Sequence, residues 1–200
     1  MVKHRVRLGT TAVASPLEVG AGEAPALQER LRAAFAETRQ FDLCPSYRPV
    51  MDPLSAVEAG RTFYDQRVDA ICVVAASWFE DHLVLDLLEE CDVPVILWAR
   101  PGMETGSLCG MQQLGFMLKA LDRPYCVLFD EVGAPNALRR ASDFASAAAV
   151  RKQLRRARLG FLGHRVEGMT ETTGHELAMK KVFGARIVGI DTPLFLERAA

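Results

Sequence analysis

The chain has 200 residues, 50% of them hydrophobic and 24% charged, with a formal net charge of −1. That composition excludes a disordered chain, and the near-zero charge supplies no overall field to draw in nucleic acid or an anionic membrane surface. The longest apolar run, Ala70 to Ala76, is far shorter than the roughly 18 residues that suggest a membrane span.

The predicted elements open with a strand at Val6 to Thr11, preceded by charged residues rather than the apolar core of a secretory signal, so a cytoplasmic location is expected. After Gly20-Ala21-Gly22 a helix runs from about Pro25 to Arg39, with Leu27, Leu31 and Phe35 on one face. A short strand at Phe41 to Cys44 follows, then a helix from Pro53 to Gln66 and the most strand-like run of the chain, Val68 to Ala75. The alternation continues: helix Glu80 to Glu90, strand Pro94 to Trp98, helix Ser107 to Leu121 and strand Tyr125 to Phe129. Strands such as Ile71-Cys72-Val73-Val74 and Val95-Ile96-Leu97-Trp98 are apolar throughout, as parallel strands covered on both faces must be. The expected fold is therefore α/β, a doubly wound, Rossmann-like parallel sheet of order 2-1-3-4-5.

A long helix is expected from Asn136 to Ala157, after which the pattern restarts with strand Arg158 to Leu162, helix Glu171 to Phe183 and strand Ala185 to Gly189. We expect one domain over residues 1–155 and, over 156–200, the incomplete beginning of a second α/β domain. One βαβ unit cannot bury both of its own faces.

In such a sheet ligands bind outside the carboxyl ends of the strands. The residues predicted there are Thr10 and Thr11, Pro45 and Ser46, Ser77 and Trp78, Ala99 and Arg100, and Asp130 and Glu131. The loop Gly20 to Pro25 has two glycines in dinucleotide spacing, but Pro25 stands at the third position, so a plain loop and helix start is expected. Five cysteines (Cys44, Cys72, Cys91, Cys109 and Cys126), with no CxxC pair, read as reduced and mostly buried thiols. Glu171 and His175 stand four apart on a predicted helix, and capping with solvated surface explains them better than a metal site. His4, His82 and His164 are too scattered to form one. The basic residues Arg139, Arg140, Arg151, Lys152, Arg155, Arg156 and Arg158 lack interleaved aromatics and read as a solvated or contact face, not a nucleic-acid surface. The segment Arg100 to Gln113 is more informative: two glycines deliver Ser107, expected as a helix cap, to a turn carrying amide side chains that suit a hydroxylated ligand.

Taken in order, Ser77-Trp78-Phe79, Pro94-Val95-Ile96-Leu97-Trp98, Gly106-Ser107-Leu108-Cys109-Gly110 with Gly115, Leu118 and Pro124-Tyr125, and then Arg158 to Gly163 with Gly168-Met169 and Phe183-Gly184, form a pattern. It resembles the amino-terminal region of the L-fucose isomerase and L-arabinose isomerase superfamily. The resemblance implies an aldose–ketose isomerase of open-chain sugars that uses manganese held by later domains, so that this chain holds no metal and no catalytic group. It implies a monosaccharide substrate, a homo-oligomer, and an amino-terminal domain that lends subunit contacts and part of a neighbour's sugar pocket. Trp78 takes the position of an aromatic substrate contact, and Gln112 that of a substrate-facing glutamine of the arabinose branch. Gly115 stands where that branch has a histidine, so the fucose-like branch is expected. On this reading the chain is the front part of an isomerase, inactive alone. The alternative is a sugar-binding or assembly module without catalysis.

Overall fold

A computed structural model describes residues 5–164, 167–169 and 174–199. The elements are β1 (Val6–Val13), α1 (Ala24–Thr38), β2 (Phe41–Pro45), α2 (Pro53–Asp65), β3 (Ala70–Ala75), α3 (His82–Glu90), β4 (Val95–Ala99), α4 (Ser107–Ala120), β5 (Tyr125–Phe129) and α5 (Pro135–Arg156). Beyond these come β6 (Arg158–Leu162), α6 (Glu176–Phe183), β7 (Arg186–Ile190) and α7 (Thr192–Ala199). The chain divides into two compact units, residues 1–149 and 150–200, with the division inside α5.

The first unit is a doubly wound α/β fold: five parallel strands in the order β2-β1-β3-β4-β5. Its apolar strands explain the two helical layers directly. Side chains alternate across a strand, so Ile71, Val73 and Ala75 of β3 join one core with Phe63, Leu83, Leu87, Met111 and Leu114 of α2, α3 and α4. Ala70, Cys72 and Val74 join the other, with Leu27, Leu31 and Phe35 of α1 and Ala137, Ala141 and Ala145 of α5. The alanines of α5 let that helix lie close against the sheet, which a large residue at any of them would prevent.

The second unit holds the parallel pair β6 and β7. Along β6 the burial pattern is exposed throughout, including Leu159, Phe161 and Leu162, so this sheet leaves its apolar side chains open. No helix among the described residues is long and apolar enough to cross a membrane.

Where the elements differ from the sequence reading, the cause is local. β1 runs two residues beyond the predicted Thr11, because Thr10 and Thr11 are fully buried sheet residues rather than the strand's end. Helix α6 starts at Glu176 with His175 as its N-cap, the imidazole Nδ1 accepting the Ala178 N–H at 3.0 Å, while the predicted start at Glu171 lies outside the described residues. α7, with Pro193 in its first turn, was not anticipated.

Helix α2 starts with a reciprocal cap, in which the Asp52 carboxylate accepts the Ser55 N–H at 2.7 Å and Ser55 Oγ accepts the Asp52 N–H at 3.0 Å. That backbone N–H, together with nearby Arg48, holds the Asp52 carboxyl below its ordinary value. A depressed carboxylate stabilises the fold above the unfolded-state pKa and loses that contribution as pH falls through the folded one. Asp52→Ala is therefore expected to cost about 1 kcal/mol in urea unfolding at neutral pH. The deficit should shrink in acid below the carboxylate range.

Candidate functional site

In the sheet order, β1 stands between β2 and β3, and the helices that follow β1 and β3 go to opposite layers. The loops leaving these two strands therefore mark the candidate crevice, at the carboxyl edge where ligands usually bind in this fold. The loop after β1, the loop after β3 and the turn leading into α4 meet at this edge.

Ser15 joins the first two. Its N–H donates to the Trp78 carbonyl and to Ser77 Oγ, both at 3.1 Å, and its own Oγ donates to Glu80 Oε1 at 3.2 Å. Ser77 Oγ in turn donates to the Trp78 carbonyl at 2.7 Å. The Trp78 N–H donates to the Thr105 carbonyl at 2.6 Å, so the backbone of Trp78 is fixed on both sides. Its indole is only partly buried, and its Nε1–H donates to Gln113 Oε1 at 3.3 Å. Gly106 makes this approach possible: it has φ +64°, and a Cβ there would stand 2.9 Å from Trp78 Cβ.

The three residues singled out from the sequence end up in different situations. Trp78 stands partly exposed just beyond the carboxyl end of β3. Gln112 is exposed on α4, but it is its neighbour Gln113 that takes the indole N–H. Successive helical residues are turned about 100° apart, so sequence alone does not say which of the pair faces the tryptophan. Ser107 is fully buried beneath the crevice: its Oγ donates to the Ala75 carbonyl at 2.8 Å and accepts the Arg100 N–H at 3.0 Å, tying the ends of β3 and β4 together. It is also not a cap. The N-cap of α4 is Gly106 in a left-handed conformation, and Ser107 is the first helical residue.

Of the other strand ends, Ser46 is consumed by the fold. Its Oγ donates to Thr11 Oγ1 at 2.8 Å, while Gln28 Oε1 accepts the Ala12 N–H and Gln28 Nε2 donates to the Ser46 carbonyl. This buried, satisfied network closes the β1–β2 side. Glu131 faces Arg30 of α1 at 3.8 Å, with both side chains largely exposed. Arg100 is different. Its side chain is 14% exposed, and its Nη1 pairs with Glu23 in the turn before α1. The guanidinium holds the Glu23 carboxyl below the ordinary carboxylate range. Gly20, with φ +93°, lets the β1–α1 loop pass beside them: a Cβ there would lie 2.6 Å from the Ala76 carbonyl oxygen and 3.5 Å from Arg100 Nη2.

A second concavity of about 450 Å³ lies between α1 and α5, lined by Glu37, Thr38, Gln40, Leu138 and Arg139 among others. It borders the C-terminal half of α1 and lacks a partly exposed aromatic ring, so the carboxyl-edge crevice is the better ligand site. Among the described residues no group of three His, Cys, Asp or Glu side chains is placed to hold a metal ion. The described residues therefore do not assemble a ligand set for manganese. Glu171 and His4 lie outside the described residues. Cys44, Cys72 and Cys91 are buried cysteines outside any disulfide, Cys126 is half-buried and Cys109 is exposed on α4. Burial pushes the Cys72 thiol up, far from a reactive thiolate. No protein-family model matches the chain, and no curated protein matches it.

Proposed function

We propose that this chain is a sugar-binding α/β region of the kind that an aldose–ketose isomerase of the fucose-like branch uses at its amino terminus. On this reading it presents part of a monosaccharide pocket and subunit-contact surface, and it contributes no metal ligand and no acid or base to the reaction. The observation that carries the proposal is Trp78: a partly exposed indole at the carboxyl end of β3, fixed through its backbone and hydrogen-bonded through its ring to Gln113.

The physical argument is one of fit. A monosaccharide in water presents an apolar C–H face and a rim of hydroxyls. An immobilised indole meets the face, while the Glu80 carboxylate and the exposed Gln112–Gln113 amides meet the rim with both donors and acceptors. The ring is already held in place, so binding it costs little side-chain entropy. A chain of this kind in a working isomerase would act by positioning the sugar, with proton movement between C1 and C2 left to groups beyond the described residues.

The test is calorimetric titration of the full chain with L-fucose and with L-arabinose. Binding of at least one sugar is expected, and Trp78→Ala should weaken it about tenfold or more while thermal unfolding stays near that of the parent. Absence of binding by both sugars, or equal affinity in Trp78→Ala, would overturn the reading. Sugar binding without any response to an added isomerase partner chain would favour the plain binding module.

A further inference from the structure

The Arg100–Glu23 pair is lopsided. A guanidinium carries five N–H donors and cannot lose its charge. Arg100 is 86% removed from solvent as a side chain, since 14% remains exposed, and its Nε is buried without a hydrogen-bond partner among the described residues. Its counter-ion, Glu23, is in contrast 61% exposed. A desolvated cation needs a close anion, whereas an exposed carboxylate loses little by returning to water. The short turn that carries Glu23, Ala21–Glu23, follows Gly20 and has no side-chain cap at its start. Arg100 also adjoins the crevice through its backbone, whose N–H is held by Ser107 under the Trp78 loop.

We propose that Arg100 is the anchor for an anionic group on the ligand, so that the crevice takes a sugar bearing a phosphate or a carboxylate, and that Glu23 occupies this anchor while the crevice is empty. The inference rests on the reading of the crevice as a sugar site and narrows its ligand class. The incoming anion displaces the Glu23 carboxylate from Nη1 and offers further oxygens to the guanidinium, the fork-shaped recognition for which arginine is suited. Glu23 acts as an internal competitor: it keeps the buried cation paired in the free protein and lowers the apparent affinity for the true ligand. The Trp78 ring and the Gln112–Gln113 amides hold the uncharged end of the molecule.

Titration calorimetry of the full chain with D-ribose 5-phosphate, D-gluconate, neutral D-ribose and inorganic phosphate tests this. Glu23→Gln, an exposed substitution that removes the competing charge, is expected to tighten at least one of the two anionic sugars by up to about fivefold, and to leave ribose unchanged. Tightening of ribose 5-phosphate alone identifies a phosphate ligand, and of gluconate alone a carboxylate. Arg100→Gln is expected to weaken the same probe about tenfold or more, with circular dichroism confirming that the variant remains folded. The proposal is overturned if Glu23→Gln leaves both anionic sugars unchanged or weaker, if neither binds, or if ribose gains as much as they do. Sugar binding that depends on Trp78 but not on Glu23 would remove this proposal and leave the sugar site standing. Inorganic phosphate that depends on Glu23 and Arg100, with no sugar sensitive to Trp78→Ala, would keep the anchor and remove the sugar reading.

Discussion

Replacing Trp98 with alanine is expected to cost about 3–5 kcal/mol of folding stability, a large part of the roughly 5–15 kcal/mol that holds a domain together. Trp98 lies on β4 with no exposed surface, edge-on to Phe35 at a centroid distance of 6.3 Å. Phe35 in turn meets Phe41 at 5.5 Å, so the indole ends an aromatic row linking α1, β2 and the centre of the sheet. Alanine would leave a cavity in a layer whose neighbours, including Ile96, Leu128 and Ala141, are fixed by the strands and by α5. It would also orphan the Asp130 carbonyl, which accepts the Trp98 Nε1–H at 2.9 Å just beyond β5. Trp98→Phe separates these contributions: it keeps most of the filled volume and loses the hydrogen bond, and its deficit should be the smaller. Urea unfolding followed by circular dichroism reads both. A deficit for Trp98→Ala under about 1 kcal/mol would mean that this layer is loosely packed.

Gly60→Ala gives the second large effect, and here the sign is informative. In an ordinary helix interior, alanine is about 1 kcal/mol better than glycine. At Gly60 of α2, however, a Cβ would stand 2.6 Å from the Leu87 carbonyl oxygen and 2.7 Å from Glu90 Cβ of α3. Neither atom is the movable end of a side chain, so relief requires the two helices to separate. Overpacking of this kind typically costs about 1–3 kcal/mol, which outweighs the propensity gain. Gly60→Ala should therefore destabilise, and Gly60→Val more so. Gly22→Ala is the control, because nothing lies within 4 Å of a Cβ there. Stabilisation by Gly60→Ala would contradict the packing described between α2 and α3.

The alternation of apolar runs with amphipathic segments was enough to predict a parallel sheet, its order and its covering on both faces. What escaped was where polar residues belong to the sheet. Thr10 and Thr11 look like the end of a strand, yet Thr11 is served by Ser46 and Gln28 from two other elements, and β1 continues to Val13. That two-residue error hid Ser15, the residue that joins the loops after β1 and β3. Trp78 and Ser77 were legible because they directly follow the most apolar strand of the chain. The pairing of Arg100 with Glu23 was not, since 77 positions separate them and only the folded β1–α1 loop brings them together. Ser107 illustrates the opposite error. A serine after a glycine pair reads as a cap, but Gly106 takes the left-handed conformation that only its lack of a Cβ makes easy beside Trp78.

The most direct measurement is a two-dimensional ¹H–¹⁵N NMR titration of the full chain with L-fucose and with L-arabinose, following the two indole N–H signals. The sequence contains two tryptophans, and Trp98→Phe identifies which signal is which. The account predicts that the Trp78 signal shifts saturably with at least one sugar, because its Nε1–H sits at the crevice beside Gln113, while the buried Trp98 signal stays in place. A Trp78 signal that ignores both sugars up to saturating concentrations would contradict the claim that this crevice is a sugar site.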